Sequence, residues 1–501
     1  MDCSKDYECK QAEPSEFIDG IEFDEIEKFS QTDVIEAISE RTVVFEGVPH
    51  EQFETDIKKL TRRNAYKNLI ILSFSFTLVY TAFNSFGNVQ SSINRAEGMG
   101  TIGLSIVYCS QMVTSLFFAS FTTSRFRYKV IIVVSMVSFL AFLLTGFYST
   151  WGTIVPGSII VGIGSAHIWP AQQAYITDLA KLYAICSGNS SDSIIALFTG
   201  IFYAFFYSSQ IWGNLFSSLV FQREISLKNT SETVMCGARF CPLMNNTVIV
   251  TRPPQSEINV YTAICVGCTV MGILVMSLFL QDVRFTKKGK KEIVTHIKKV
   301  GALFVNSADQ RLLIVPSLIG GLSSAIIASD FTLAFVSCPF GVGSVGLMMI
   351  AFGVSVAGFS AGFGRLTKYT GHYGLFVVGF VAQMCFAAVT LTWVPSADTY
   401  YAVFLVAAIW GVCTAVNMPL VLVLYSVYFE AQDRDTALSG FRMLNGLGLT
   451  LAFGYSSRLC MRYKMNINMG VACLSLLCVT ILSVKHRHTQ KICLCCKGQS
   501  K

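Results

Sequence analysis

Two stretches place polar groups where an apolar helix has little use for them. "GIGSAHIWPAQQAYITD" (Gly162–Asp178) carries His167, Gln172 and Gln173 around Pro170, and "GVCTAVNMPLVLVLYS" (Gly411–Ser426) carries Asn417 ahead of Pro419. Both read Gly-x-x-(Ser/Thr)-Ala-x-x-x-Pro. In lipid such groups must turn inward. There they either line a central cavity, where His167 could relay a proton, or hydrogen-bond neighbouring helices to hold a bundle together. Each proline lacks a backbone donor and predicts a local kink, the first by freeing the carbonyl of Ala166. Asp330, in "IIASDFTLAFV", is a carboxylate well inside an apolar run. Unpaired at the bilayer centre it would cost about 2.5–3.5 kcal/mol, so it should lie in the outer half of its helix, against protein or water. Its roles range from cation contact or partner recognition to pairing with an outer-loop arginine or simple hydration. Arg442 and Asn445, in "SGFRMLNGLG", open another helix; Arg442 either braces helix ends, contacts lipid phosphates, or snorkels.

The elements that must carry these groups are membrane helices. The 501 residues are 52% hydrophobic and 14% charged, with a mean hydropathy of +0.54, against about 25% charged residues in soluble domains. Runs of about 20 apolar residues begin near Leu69, Thr101, Tyr128, Thr153, Ile194, Val260, Leu312, Val345, Leu375, Tyr400, Ser439 and Ile467. About twelve helices follow. Of the 31 acidic residues, 17 precede Leu60, so residues 1–62 read as an acidic, mostly disordered tail with no signal peptide. The plan is then an N-terminal six-helix bundle over 63–281, a basic linker over 282–311, a C-terminal six-helix bundle over 312–484, and a basic, Cys-rich tail over 485–501.

Orientation follows from charge. Lys58, Arg62, Arg63, Arg125, Arg127, Lys129, the seven basic residues between Arg284 and Lys299, Arg365, Lys368 and Lys485 all fall on one side of a twelve-span chain. The positive-inside rule makes that side, and both termini, cytoplasmic. The opposite loop, about 222–259, holds the sequons at Asn229 and Asn245, which agrees. Cys236 and Cys241, in "CGARFC" of that loop, are disulfide formers if it faces an oxidising compartment, free thiols otherwise. In the tail, Cys493, Cys495 and Cys496 beside basic residues are S-acylation candidates, or simply reduced thiols. In "GVSVAGFSAGFG", Gly358 and Gly362 have a small-xxx-small spacing that predicts close helix packing.

Repetition fixes the architecture. "AFFYSS" (Ala204–Ser209) recurs as "AFGYSS" (Ala452–Ser457), and both repeated pairs are displaced by six helices. Two parallel six-helix repeats are the construction of major-facilitator proteins. The basic loops "SRFRYK" and "GRLTKYTGHYG" sit where that superfamily carries a cytoplasmic loop motif, the first without its glycine and acid. No HExxH, Walker loop, nucleotide fingerprint or metal spacing is present. The expectation is a non-enzymatic protein without cofactor, metal or nucleic-acid partner.

"KNLIILSFSFTLVYTAFNSFGNVQSSIN" from Lys67, "YSSQIWGNLFSSLVF" from Tyr207, "CGA" at Cys236 and "AFGYSSRLC" from Ala452 together resemble the Unc-ninety-three (uncoordinated) family, a divergent branch of the major-facilitator fold. The resemblance runs from roughly Arg62 to Ser483. It implies an accessory protein whose partner is a potassium channel subunit of the two-pore-domain type, at the plasma membrane. Another branch implies an escort of nucleic-acid-sensing receptors from the endoplasmic reticulum to endosomes. A third reading, from the fold, is a secondary transporter of a small solute. The family's aromatic-Arg pair is matched by Phe441 and Arg442, whereas "NMPL" stands where a tryptophan and glutamines are expected.

Overall fold

A computed structural model describes residues 62–118, 122, 125–187, 191–221, 236–242, 252–282, 293–429 and 431–498, with the side chains of a few further positions left out. The sequons at Asn229 and Asn245 lie outside the described residues, as do the side chains of Cys493, Cys495 and Cys496. Among the described residues all regular structure is helical. The first half contains α1 (Arg62–Ile93), α2 (Met99–Phe117), α3 (Tyr128–Leu144), α4 (Trp151–Ser187), α5 (Ser191–Val220) and α6 (Gln255–Phe279). The second contains α7 (Ala308–Phe340), then one helical stretch, Gly343–Thr392, that turns at Gly371 (φ 69°) into α8 and α9. It ends with α10 (Ala402–Tyr428), α11 (Ala431–Ser456) and α12 (Met461–Gly498). Among the described residues nine helices are long and apolar enough to cross a membrane, and α3 is a shorter apolar helix. Side chains such as Val134, Leu219 and Leu278 stand exposed on the outside, an apolar belt suited to lipid.

The halves pack alike. In the first, α1 lies against α5 and α6, and α4 against α2 and α3; in the second, α7 lies against α11 and α12, and α10 against α8 and α9. The repeated motif explains part of this. A Cβ on Gly162 would stand 2.4 Å from the Val107 carbonyl oxygen of α2, and one on Gly411 2.9 Å from that of Phe352 on α8. The same glycine lets equivalent helices touch backbone to backbone. Neither Pro170 nor Pro419 interrupts its helix. The spacing at Gly358 does not act as predicted, because nothing lies within 4 Å of where its Cβ would be; that part of α8 carries the exposed Val354 and Phe359.

Between the halves, α2 runs along α11, α5 along α8, and α1 beside the middle of α7. The end of α6 is tied to the first half: Gln281 accepts from Asn68 (3.0 Å) and Tyr175 (2.8 Å), and the Lys129 ammonium donates to the Leu280 carbonyl (2.7 Å). A linker helix, Ile293–Asn306, packs on α11. Ser307 then caps the start of α7 by accepting from the Gln310 amide.

Candidate functional site

A cavity of about 200 Å³ lies between the halves, lined from α1, α2, α5, α7, α8, α10 and α11. Its polar wall is an amide ladder. Asn84 and Asn88 are one helical turn apart on α1, and Gln210 and Asn214 one turn apart on α5. Asn88 donates to Asn214 Oδ1 (3.1 Å) and to Gln210 Oε1 (3.5 Å); Asn84 donates to the Ser209 hydroxyl (3.3 Å). The rest is mostly aromatic and aliphatic, with Phe83, Tyr108, Phe206, Tyr207, Phe352 and Phe453 prominent, and Ser324 and Thr414 add hydroxyls. Tyr108 and Phe453 stack across the halves at 5.5 Å. The repeated "AFFYSS/AFGYSS" motif thus faces the cavity from both sides, through Phe206 and Tyr207 on α5 and Phe453 on α11. No lining side chain is charged. Such walls suit an uncharged solute held by amides and ring faces.

The α4 groups do not reach this cavity. His167 is half-buried, its Nδ1 2.8 Å from the Ile163 carbonyl of its own helix. Gln172 is buried and its side-chain amide nitrogen has no partner, while at the half-buried Gln173 the backbone carbonyl accepts from the Thr177 hydroxyl. What α4 supplies is aromatic: Trp169 packs on Phe76, Tyr80 and Phe206. Asn417 sits elsewhere, in a cleft of about 30 Å³ inside the second half. There it donates to Gln383 Oε1 (3.4 Å), Gln383 donates to Ser323 (3.1 Å), and Ser323 to Asn468 (3.0 Å). Arg442 is exposed, within electrostatic reach of Tyr203. The backbone of Asn445 meets Gly321, whose Cβ would come within 2.1 Å of the Asn445 carbonyl oxygen.

Asp330 is buried and pairs with a lysine rather than with a loop arginine. Its carboxylate meets the Lys464 ammonium of α12 at 2.6 Å, with side chains 2% and 3% exposed. Ser456 donates to the same oxygen (2.6 Å), and Lys464 also donates to the Ser456 carbonyl (2.6 Å). The middle of α7, Ile326–Ser337, is π-wound, a widened helix that is often found at functional sites. Sequence reasoning missed Lys464 because "MRYKMN" sits at a helix end and reads as a solvated edge.

The cysteines of "CGARFC" do not pair with each other. Cys236 is bonded to Cys338 at the end of α7, and Cys241 to Cys460 ahead of α12, across 102 and 219 residues. Connectivity of this kind cannot be read from spacing.

The Major Facilitator Superfamily family model matches residues 69–453. "Protein unc-93 homolog A" of Homo sapiens is 34% identical over 419 residues, covering 82% of this chain and 91% of its own length. The Xenopus laevis protein of the same name is 33% identical, with 81% and 90% covered. "Putative potassium channel regulatory protein unc-93" of Caenorhabditis elegans is 28% identical, with 78% of this chain and 57% of that protein covered. Among solved structures, the nucleoside transporter NupG superposes with a TM-score of 0.55 at 12% identity, over 83% of this chain and 98% of its own. A peptide transporter POT in complex with sulfate gives 0.57 at 9%, over 84% and 94%; these likenesses bear on the fold alone. With the paired bundles and the matched relatives together, the chain belongs to the Unc-93 (uncoordinated) family, a divergent branch of the major facilitator superfamily.

Proposed function

We propose that this chain is a non-enzymatic accessory subunit that regulates a potassium channel of the two-pore-domain type at the plasma membrane. The observation that carries the reading is the relationship to unc-93, a protein named for potassium channel regulation. A regulator acts by binding one channel state better than another; a difference of about 1.4 kcal/mol shifts the open–closed balance tenfold. The partner contact is helix to helix or loop to loop within the bilayer. Both termini are cytoplasmic in this reading, supported by basic residues at the ends of α1, α2 and α12 and by disulfides on the opposite face, where an oxidising compartment would maintain them. Asn229 and Asn245 then carry glycans and Cys493, Cys495 and Cys496 acyl chains. Co-expression of the full chain with a two-pore-domain channel in oocytes tests the proposal. The expected result is an altered potassium current per channel at the surface; unchanged current and unchanged surface channel would sink it.

The central cavity favours a second reading, a secondary transporter of a small uncharged solute. Purified protein in liposomes should then show solute flux that falls at least about tenfold in Asn88→Leu and Gln210→Leu, which remove the polar wall. The regulatory reading expects no flux from the purified chain.

A further inference from the structure

The segment Cys236–Cys241 belongs by chain to the first half but is fastened to the second. Cys236 is bonded to Cys338 and Cys241 to Cys460. The Met461 amide donates to the Phe240 carbonyl (2.9 Å). Gly237, at φ +73°, lies so close to Pro395 that a Cβ would come within 2.8 Å of its ring. On the other side Arg95, at the turn between α1 and α2, stands over the Phe240 ring at 5.3 Å.

We propose that this hexapeptide, bonded to the second bundle by two disulfides and meeting the first through Arg95 over Phe240, is a latch that keeps the two bundles together on its face and opposes opening of the central cavity there while it is oxidised. Alternating access requires the ends of α1, α2 and α5 to part from α7, α8 and α11. Those ends are in contact under the latch. Ser92 and Ser337 share a 2.7 Å hydrogen bond, and Ser91 donates to the Ser329 carbonyl at 3.2 Å. A Cβ on Gly346 would stand 2.2 Å from the Asn214 carbonyl oxygen, and one on Gly98 2.4 Å from Ser457 Cβ. The Asp330–Lys464 pair fixes the two anchors to each other, since Asp330 precedes Cys338 on α7 and Lys464 follows Cys460 into α12. With the bridges closed, a ligand exchanges with the cavity chiefly from the face of the basic loops. A dithiol opens each bridge: one thiolate attacks a protein sulfur, the mixed disulfide is resolved by the second thiol, and two protein thiols and a cyclic disulfide result. The latch is independent of which partner the chain regulates.

The test uses the full chain in lipid nanodiscs, with non-reducing peptide mapping followed by amide hydrogen exchange with and without dithiothreitol. Mapping should give Cys236 linked to Cys338 and Cys241 to Cys460; a Cys236–Cys241 peptide overturns the proposal. On reduction, exchange at Gln90–Asn94 and Ser329–Ser337 should accelerate at least about tenfold while α3 and α6 keep their protection. The double variant Cys338→Ser, Cys460→Ser should show the same pattern without reductant, and reduction of the native chain in place gives the answer should that variant fail to fold. Unchanged exchange overturns the latch. So does a rise through all helices, which makes the bridges staples of the fold and not of one face.

Discussion

At the scale of single residues the buried pair of Asp330 and Lys464 has the largest energetic consequence. Removing one partner strands the other charge among buried side chains, at about 3–5 kcal/mol. Lys464→Met should therefore lower the thermal unfolding midpoint markedly in detergent. Asp330→Asn added to it should restore most of the loss, since the amide oxygen still accepts from Ser456. A double variant no more stable than Lys464→Met would refute the pairing. The sequence exposed half of this site. A carboxylate in an apolar run announces its own cost, whereas a lysine three residues into a helix is unremarkable, and 134 residues separate the two. His167 shows the opposite case. An unusual residue type in an apolar run drew a functional expectation, and the structure places its Nδ1 against the Ile163 carbonyl one turn back on its own helix, outside the central cavity.

At the scale of elements, glycines set which helices approach. Gly346 of α8 rests against the α5 backbone across the two halves, and Gly358 faces open space. Gly346→Ala should cost about 1–3 kcal/mol by overpacking, while Gly358→Ala should be neutral or up to about 1 kcal/mol stabilising; equal midpoints for the two would contradict the packing. On the basic-loop side Asp309, at the start of α7, meets Lys485 (2.6 Å) and His486 (3.2 Å) of α12. Lys485 is 46% exposed, so Asp309→Ala should cost no more than about 1 kcal/mol, a difference that added salt erases. Helix number and order were legible because hydropathy repeats at bilayer length. Which face each helix turns inward was not: the i, i+4 amides Asn84 and Asn88 gain their meaning only from α5, which sets Gln210 and Asn214 opposite them. That spacing is the signal the sequence carries, and it is weaker than the proline-flanked motif of α4.

At the scale of the whole molecule, the duplication read from two short repeats corresponds to two bundles whose equivalent helices pack on equivalent neighbours. Which cysteines join them was not legible, because the linked residues are far apart in the chain. A protease site inserted between residues 283 and 292 tests the union directly. After cleavage the halves should migrate as one band without reductant and as two with it; separation without reductant would exclude bonds between them.

The anchored end of α6 has a practical consequence. Asn68, Lys129 and Tyr175 hold Leu280 and Gln281, while the linker helix packs mainly on α11. A fluorophore attached at Asp282 therefore reports the posture of the first bundle, and one on the linker helix at Lys298 that of the second. Energy transfer between them would register any swing of one bundle against the other, in living cells and with the transmembrane interior untouched.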